Sequence, residues 1–519
     1  MHPLSLLVSP FIVSHLAAAI IVPFRGVSRT TNSHIFSKRN NLTGVAVENA
    51  HNTLYAANIT LGGSPFSVVL DTGSSDLWVA GDVPGTEDTG KPADVAYAVG
   101  EAKGNINLAS LGFDNYTVDK QAFILVNDTS TFSSSLQSNG FQGLMGLGFD
   151  DGSIVRGIVG DGAGDTPLSR IFQQNKTTQN FISILLDRNN DPTDTVTGQI
   201  TISEFASGYE SIESQPKLYI KDVFFDSSSQ HWAVYIDKNG VIGPDGDAIS
   251  MTSIVPRVRG GKLIAVLDSG FTFSQVPRKM ADAIYGRVQG ANYSQEEGLW
   301  MVPCDQELNI TFTFAGVKMP VHPLDVVSGD FNLGSYCPGT YQPITTAFSV
   351  LGDYDMILGM SFMRNVYALF DYGNYVDDTS NDRGDPYVQL LSVTDASSAH
   401  ADFVKTRLNG TDTTGSSSKT LLPASQESHS PLSPGEKKQH IVGAVARNWP
   451  YILVGCLLFV LSVVGCCVYA CCCRKRRKGV RAFNKNPYQT IQEPAPPPSM
   501  YMKPMNSGAQ YADPYHSRA

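Results

Sequence analysis

Short apolar runs separated by turn-forming residues dominate the chain from Val45 to Asp395. The runs are rich in β-branched residues, and Gly, Pro, Asn and Asp divide them at short intervals, which predicts an all-β fold. Two longer apolar stretches stand outside this pattern, at Leu4–Ile21 and Pro450–Cys472. Both lack Asp, Glu, Lys and Arg, which favours a signal peptide for the first and a membrane span for the second.

Two stretches within the β region each carry an aspartate from an apolar run into a turn of small residues. They are VVLDTGSSDLWV at 68–79 and AVLDSGFTF at 265–273. A lone Asp-Thr-Gly is more often a solvated loop than a catalytic site, but two copies with apolar lead-ins are hard to dismiss. Two carboxyl groups held together cannot both ionise, so one stays protonated while the other acts as a base. Such a pair can activate water for peptide hydrolysis.

The other turn residues supply the means of bringing Asp71 and Asp268 together. Glycine in both turns permits tight geometry and close backbone approach. The hydroxyl groups of Thr72 and Ser269 can join the paired turns by hydrogen bonds.

A second repeated element completes a family resemblance. Two apolar residues and a Gly recur at Leu144–Gly146 and Ile357–Gly359. In order and spacing, Val45–Asp395 resembles the pepsin-like (family A1) aspartic proteases, of fungal type. The resemblance implies an all-β, bilobal fold with pseudo-twofold lobes at 45–205 and 206–395. It also implies an aspartic endopeptidase that needs no cofactor and cleaves extended polypeptide substrates.

The resemblance also assigns residue roles. Asp71 and Asp268 become the catalytic pair, with active-site support from Thr72, Gly73, Ser74, Ser269 and Gly270. By spacing, Tyr97 matches the tyrosine of the flap hairpin that closes over substrate, and its hydroxyl is expected to reach the indole N–H of Trp78. The alternative is an ordinary strand tyrosine.

One position departs from the family pattern. Active relatives carry a second Ser or Thr after the Asp-[Thr/Ser]-Gly turn; the first turn keeps it as Ser74, but the second has Phe271. Loss of this hydroxyl should raise the pKa of Asp268 by favouring its neutral form. Thr272 could substitute through a different turn geometry. This departure motivates an alternative function, a weakly active or inactive peptide-binding or adhesion protein at the cell surface.

Charge and composition narrow the possible partners. The formal charge is −10, but residues from Arg474 onward carry 9 Lys/Arg against 2 Asp/Glu, and the rest carries 29 against 46. An acidic body argues against nucleic-acid binding and is compatible with work at low pH. The Gly- and Asp-rich segment 150–166 lacks EF-hand spacing, so no metal site is expected. The body is expected to be a monomer.

Cysteine usage predicts one disulfide. Cys304 and Cys337 lie in the body, whereas the other six cysteines fall between Cys456 and Cys473. A lone pair in a secreted domain is most simply a disulfide. Closing this loop stabilises the fold by roughly 3–4 kcal/mol in the chain-entropy model.

The N-terminal region indicates entry into the secretory pathway. Residues 1–19 are interpreted as a signal peptide, and 20–44 as either a short pro-segment of a zymogen or a disordered leader. Glycosylation sequons support this interpretation. They lie at Asn41, Asn58, Asn115, Asn127, Asn175, Asn292, Asn309 and Asn409.

The C-terminal region predicts a membrane anchor. Residues 396–448 are rich in Ser, Thr and Pro and are expected to form an extended stalk. Residues 449–473 follow as a single transmembrane helix, and the basic run Arg474–Lys478 places the N-terminal body outside the cytosol. This predicts a type I protein of the cell surface or of an endosomal or vacuolar membrane. In the cytosolic tail, 474–519, Tyr488–Ile491 resembles a sorting signal for an adaptor.

Overall fold

The structure is a computed structural model that describes residues 45–477 with internal gaps. The gaps are 47, 51, 53, 98–99, 129–139, 190–197, 224–228, 256–257, 296, 331–333, 345–352, 377–383 and 433. The signal peptide, the leader, Asn41 and the sorting motif therefore lie outside the described residues. The chain divides into two compact units, Met1–Arg447 and Asn448–Ala519, which are treated separately below.

Strands are the main regular elements of the described part of the first unit. Those of its N-terminal half are β1 (Val45–Ala46), β2 (Glu48–Ala50), β3 (Leu54–Leu61), β4 (Ser64–Asp71), β5 (Leu77–Val79), β6 (Glu87–Tyr97), β7 (Gly100–Phe113), β8 (Tyr116–Asp128), β9 (Gly143–Gly146), β10 (Phe181–Leu185) and β11 (Gln199–Ile202). Those of its C-terminal half are β12 (Leu218–Tyr219), β13 (Ala233–Ile236), β14 (Val241–Ile242), β15 (Leu263–Leu267), β16 (Ser274–Val276), β17 (Asn292–Ser294), β18 (Leu299–Pro303), β19 (Ile310–Phe314), β20 (Val317–Val321), β21 (Tyr336–Pro338), β22 (Tyr341–Pro343), β23 (Met356–Leu358), β24 (Val366–Asp371) and β25 (Tyr387–Ser392).

Helices are few and mostly short. They are α1 (Ile154–Val159), α2 (Pro167–Gln174), α3 (Arg278–Tyr285), α4 (Pro323–Val326), α5 (Met360–Met363), α6 (Ala396–Arg407) and α7 (Pro434–Arg477). Side-chain caps begin several of them. The Ser153 hydroxyl accepts the Arg156 N–H at the start of α1, and Asp395 accepts the Ser398 N–H at the start of α6.

Each half contains its own main sheet, and a third sheet joins them. The N-terminal half has an eight-stranded sheet in the order β2-β3-β4-β9-β5-β8-β7-β6, and the C-terminal half a five-stranded sheet in the order β13-β15-β23-β16-β22. The joining sheet, β1-β11-β10-β24-β25-β12, pairs β10 with β24 in antiparallel register, Ile182 opposite Phe370. Strands β15 and β24 are buried along their whole length, as their continuous apolar runs require. The predicted all-β, bilobal fold is confirmed.

A buried ion cluster connects the two halves away from the sheets. The Asp325 carboxylate lies 2.6 Å from the guanidinium nitrogens of both Arg188 and Arg364. Arg364 also donates to the carbonyl of Asn52, near the start of the N-terminal half, at 3.0 Å. Burial alone would raise the pKa of Asp325, but the two cations outweigh it and hold that pKa below its usual range.

The segment expected to be an extended stalk is instead packed on the C-terminal half. We call residues 396–432 the strap. Its helix α6 buries Phe403 completely and places Asp402 3.7 Å from His322. At the end of the helix, Arg407 donates to the Val327 carbonyl at 3.0 Å and to the sulfur of Cys337 at 3.4 Å.

The rest of the strap continues along the same surface. Leu422 and Arg287 exchange two hydrogen bonds of 2.7 Å, one from each donor. Further on, Ser430 is buried and donates from its N–H and its hydroxyl to Asp282, at 3.0 and 2.6 Å. The stalk prediction is therefore wrong for residues 396–432. The packing could not be predicted from composition, because a few apolar side chains and many hydrogen bonds hold the strap.

Surface features of the first unit agree with a secreted chain. The predicted disulfide is confirmed between Cys304 and Cys337, with Cα atoms 4.9 Å apart. The sequon asparagines within the described ranges are all exposed, including Asn58 on a strand. Every one of them is therefore accessible to glycosylation.

The second unit contains an apolar helical stretch. Within α7, residues Asn448–Ala470 form a candidate membrane span of 23 residues with no buried share. At about 1.5 Å per residue this length exceeds the roughly 30 Å of a hydrocarbon core. The span lies close to the predicted 449–473.

Replacing Phe403 tests whether the strap belongs to the fold. Phe403→Ala should lower the free energy of unfolding by about 3–5 kcal/mol, because it leaves a cavity under α6. The exposed Lys405→Ala on the same helix is the matched control and should change stability by less than about 0.5 kcal/mol. Urea unfolding of both variants measures this, and equal stability would restore the stalk interpretation.

Candidate active site

Both predicted turns lie at the ends of central strands with the same local topology. In the N-terminal half the order is β4-β9-β5, and β4 runs parallel to β9 with Asp71 opposite Gly146. In the C-terminal half the order is β15-β23-β16, and β15 runs parallel to β23 with Leu267 opposite Leu358. The repeated apolar-apolar-Gly element therefore forms the middle strand beside each aspartate turn.

The two turns are joined by a symmetric exchange of hydrogen bonds. The Thr72 N–H donates to the Ser269 hydroxyl at 3.0 Å, and the Ser269 N–H donates to the Thr72 hydroxyl at 2.9 Å. Each hydroxyl then donates to a strand carbonyl of the opposite half, Leu267 for Thr72 and Leu70 for Ser269, at 2.9 and 2.8 Å. Since Thr72 and Ser269 are at most 2% exposed, water does not compete for these groups.

This exchange places each carboxyl group against the other turn. A β-carbon added to Gly73 would lie 2.1 Å from Asp268 Oδ2, and one added to Gly270 would lie 2.3 Å from Asp71 Oδ1. Both distances are impossible for real atoms, so only glycine allows this approach. The carboxyl groups of Asp71 and Asp268 lie within hydrogen-bonding range of each other.

The two carboxyl groups have different donors. Asp71 accepts the Gly73 N–H at 2.8 Å and the Ser74 hydroxyl at 2.5 Å. Asp268 accepts the Gly270 N–H at 2.8 Å and a backbone N–H from Phe271. Burial first, and then the neighbouring carboxylate of Asp71, raise the pKa of Asp268 well above its ordinary value, although the two backbone donors oppose this.

Phe271 packs its ring instead of supplying a hydroxyl. Its side chain lies against an apolar cluster of the C-terminal half, together with Tyr354 and Tyr235. Its carbonyl accepts the Met360 N–H at 2.7 Å, which fixes the turn next to β23. The second turn therefore keeps the geometry of the first without its hydroxyl.

The hairpin of β6 and β7, which the resemblance predicts to be the flap, lies beside the first turn. Strands β6 and β7 pair with Tyr97 opposite Gly100. The Tyr97 hydroxyl is buried and lies near the Trp78 indole and the Ser74 side chain. The rings of Tyr97 and Trp78 lie 6.2 Å apart, tilted by 49°. The hairpin thus connects with the turn that carries Asp71.

Several further residues support the site without a local signal in the sequence. Asp76 is buried and accepts three hydrogen bonds, from the Ser153 hydroxyl and the N–H groups of Ile154 and Val155, at 2.7, 3.0 and 2.9 Å. It ties the strand after the first turn to α1. His231 and Tyr354 lie beside the carboxyl pair on the C-terminal side.

Metal ligation is not indicated by the described side chains. Within the described ranges, no group of three or more His, Cys, Asp or Glu side chains is arranged to hold a metal ion. The chemistry available from these residues is that of two adjacent carboxyl groups under a flap.

Fold and site together define a two-lobed β protein with a carboxyl pair at the junction of its lobes. The family model described as eukaryotic aspartyl protease matches residues 54–377. The chain belongs to this family, as predicted. The matched region ends before the strap and the candidate membrane span.

Curated fungal relatives agree with the family assignment. The chain is 26% identical over 350 residues to major aspartyl peptidase 1 of Cryptococcus neoformans, covering 61% of this chain and 66%, just under two thirds, of the peptidase. It is 27% identical over 367 residues to the probable vacuolar protease A of Arthroderma benhamiae, covering 64% and 81%. With rhizopuspepsin of Rhizopus chinensis the identity is 24% over 348 residues, covering 62% and 76%.

Removing the Thr72 hydroxyl should measure how much the hydrogen bonds exchanged between the turns stabilise the fold. Thr72→Ala leaves the buried Ser269 N–H without an acceptor and should lower the free energy of unfolding by about 1–3 kcal/mol. Thr72→Ser keeps the hydroxyl and is the matched control. Urea titration of the two variants compares them; equal loss in both would mean that the Thr72 methyl group, not the hydrogen bond, stabilises the junction.

The raised pKa of Asp268 predicts a pH-dependent cost in stability. Above about pH 3.8 the unfolded chain releases the Asp268 proton, whereas the folded protein keeps it. The contribution of Asp268 to the free energy of unfolding is therefore complete below that pH and is lost as the pH rises through the raised pKa. Asp268→Asn mimics the neutral carboxyl group. The variant should therefore have a higher melting temperature than the native chain at pH 7, and the two melting temperatures should be equal at pH 3.

Thermal unfolding at both pH values measures this difference. Asp82→Asn, at an exposed position, is the control and should shift neither melt. A native chain that is more stable than Asp268→Asn at pH 7 would contradict the raised pKa assigned to Asp268.

Proposed function

We propose that this protein is an aspartic endopeptidase that hydrolyses peptide bonds of extended polypeptides in acid solution. The observation that carries the proposal is the joined pair of turns, which holds Asp71 and Asp268 within hydrogen-bonding range at a buried site under a flap. Family membership and the names of the fungal relatives support it.

In the proposed mechanism the two carboxyl groups have opposite roles. Asp71, which accepts hydrogen bonds from the Gly73 N–H and the Ser74 hydroxyl, acts as the base. Asp268 carries the shared proton. Asp71 takes a proton from water while the water oxygen attacks the scissile carbonyl carbon, and Asp268 donates its proton to the carbonyl oxygen. In the tetrahedral intermediate the C–N bond then breaks, its nitrogen receives the proton held by Asp71, and a hydroxyl group of the intermediate returns a proton to Asp268 as the carboxylic acid product forms.

The direction of the Asp268 pKa sets the expected pH dependence. The pair is competent while it holds one proton, and activity is lost when that proton leaves. Above the raised pKa of Asp268 the pair is doubly ionised and inactive. Without a hydroxyl at position 271, this alkaline limb should lie at higher pH than if the second turn carried one.

Phe271 supports a second candidate, a weakly active or inactive protein that binds peptides in the same cleft. Asp268 accepts the backbone N–H groups of Gly270 and Phe271, whereas Asp71 also accepts the Ser74 hydroxyl. The endopeptidase is favoured because both carboxyl groups, both glycines and the hydroxyl exchange are present. Activity assays separate the two candidates.

The membrane anchor supports a proposal for location. Trp449 and Tyr451 lie at one end of the candidate span, where aromatic side chains anchor, and the basic run 474–478 lies at the other. We infer a single-pass type I topology, with the glycosylated body outside the cytosol at the surface or in an endosomal or vacuolar lumen. Tyr488–Ile491 would then face cytosolic adaptors, and the body would act as a monomer.

Substitution of either aspartate tests the proposed activity. The full chain in detergent should cleave casein at a pH between 3 and 7, and pepstatin should block the cleavage. Asp71→Asn and Asp268→Asn should each lower kcat by at least about 10³-fold, because each removes one half of the acid–base pair. Asp82→Asn should retain native activity.

Absence of cleavage at every pH, with correctly folded native protein, would contradict the endopeptidase and favour the peptide-binding candidate. Retained activity in Asp71→Asn would mean that other groups hold the attacking water.

A further inference from the structure

Three of the four histidines whose side chains the structure describes lie where the strap meets the C-terminal half. His400 and His429 belong to the strap, and His322 lies opposite Asp402 of the strap. Each of these rings lies beside a carboxyl group across the contact between the strap and the body. Histidine is the side chain whose charge ordinarily changes between pH 5 and 8, so this contact is the part of the described chain where pH can act on packing.

His400, on α6, has a carboxyl group at each of its two ring nitrogens. Its Nδ1 lies 3.0 and 2.9 Å from the two carboxyl oxygens of Glu307, between β18 and β19, and its Nε2 lies 3.4 Å from Asp412 Oδ2. A neutral imidazole has one N–H and can donate to only one of these groups, whereas the protonated ring can donate to both. The geometry therefore favours the charged ring.

His429 lies against a buried carboxyl group near the end of the strap. Its Nδ1 is 3.4 Å from Asp282 Oδ2, on α3, and 3.7 Å from Glu427 Oε1 in the strap itself. Asp282 also accepts the Ser430 hydroxyl, and the Arg278 guanidinium lies 3.6 Å from the same Asp282 oxygen as His429. Arginine keeps its charge throughout, whereas histidine gains its charge in acid. In acid the strap therefore adds a second cation beside Asp282.

His322 differs from the other two because one of its ring nitrogens already has a fixed role. Its Nδ1 accepts the Leu324 N–H at 3.1 Å at the start of α4, so the proton of the neutral ring lies on Nε2. This Nε2 lies 3.7 Å from Asp402 Oδ2, and both side chains are buried. A proton on Nδ1 would break the cap of α4. The pH response is therefore assigned to His400 and His429.

The direction of the response follows from the contacts of His400. Its hydrogen bond with Glu307 raises its pKa above the ordinary 6.5, burial opposes this, and the charges of Glu307 and Asp412 add to the rise. The contribution of His400 to the packing of the strap is therefore complete below about pH 6.5 and is lost as the pH rises through the raised pKa. Lysine and aspartate both stay charged between pH 5 and 8, so the ion pair of Lys419 with Asp305 holds the strap throughout that range.

We propose that the strap is a pH-dependent clamp on the C-terminal half: in acid, His400 and His429 form ion pairs with Glu307 and Asp282, and at neutral pH these pairs are lost and the strap opens more often. The inference does not depend on the proposed endopeptidase function. The strap precedes the candidate membrane span in the sequence. The pH of the surroundings therefore sets how much of the chain before the span is packed on the body.

Hydrogen–deuterium exchange of the full chain in detergent, at about pH 5 and pH 7.5, measures this opening. The N–H groups of Leu422 and Ser428 donate to the body carbonyls of Arg287 and Gly286, at 2.7 and 2.8 Å, so they exchange when the strap leaves the body. Rates are corrected for the intrinsic pH dependence of exchange, and pepstatin is added to suppress self-cleavage. Protection of β24, inside the body, reports that each variant is folded.

Two variants separate the titrating pairs from a pair that does not titrate in this range. A double variant, His400→Gln with His429→Gln, removes both ring charges. Lys419→Gln, which removes the ion pair with Asp305, is the matched control within the strap.

In the native chain, the protection of the Leu422 and Ser428 N–H groups should fall by roughly three- to tenfold between the lower and the higher pH. The double variant should have the lower protection already at about pH 5 and should change little as the pH rises. The control should lose protection by a similar factor at both pH values, because neither member of its ion pair titrates between them.

Equal protection of the native chain at both pH values, or a folded double variant that keeps the native pH response, would overturn the clamp. A native chain that shows the response but cleaves no peptide at any pH would contradict the endopeptidase and leave the clamp intact.

Discussion

The exchange of hydrogen bonds between Thr72 and Ser269 is the constraint on which the site depends. Each residue gives its backbone N–H to the hydroxyl of the other, so neither turn is complete without the opposite half of the chain. Two carboxyl groups repel each other when both are ionised, so a pair that hydrolyses peptides must be held together by the surrounding structure. Here the junction holds them together, and Gly73 and Gly270 leave the space in which the carboxyl groups meet.

Much of the remaining structure keeps this junction in place. Sheet pairing of β10 with β24 and the buried cluster around Asp325 connect the halves at other points. The strap braces the C-terminal half through Phe403 and Ser430, beyond the region that the family model matches. Residues 396–432, which precede the candidate membrane span in the sequence, are therefore a folded part of the body and not a loose stalk.

Features that leave a local pattern of residues could be predicted from the sequence. The repeated turns, the middle strands and the disulfide each follow from short motifs, and the lobes follow from their order. Sequence reasoning failed for the strap because a Ser- and Thr-rich segment can pack through hydrogen bonds that no periodicity shows, as Ser430 does on Asp282. It could not assign Asp76, since the importance of this residue arises from contacts with residues distant in the sequence. Bounds of the lobes and the roles of the site residues remain predictions.

The most direct test of the account is to locate the protons on the carboxyl pair. Neutron diffraction from crystals of the deuterated protein, grown at the pH of maximal activity, would show both the separation and the protonation of Asp71 and Asp268. The account predicts facing oxygens within about 3 Å and a single deuteron on the pair. Carboxyl groups beyond hydrogen-bond reach, or a pair that carries no deuteron or two, would contradict it.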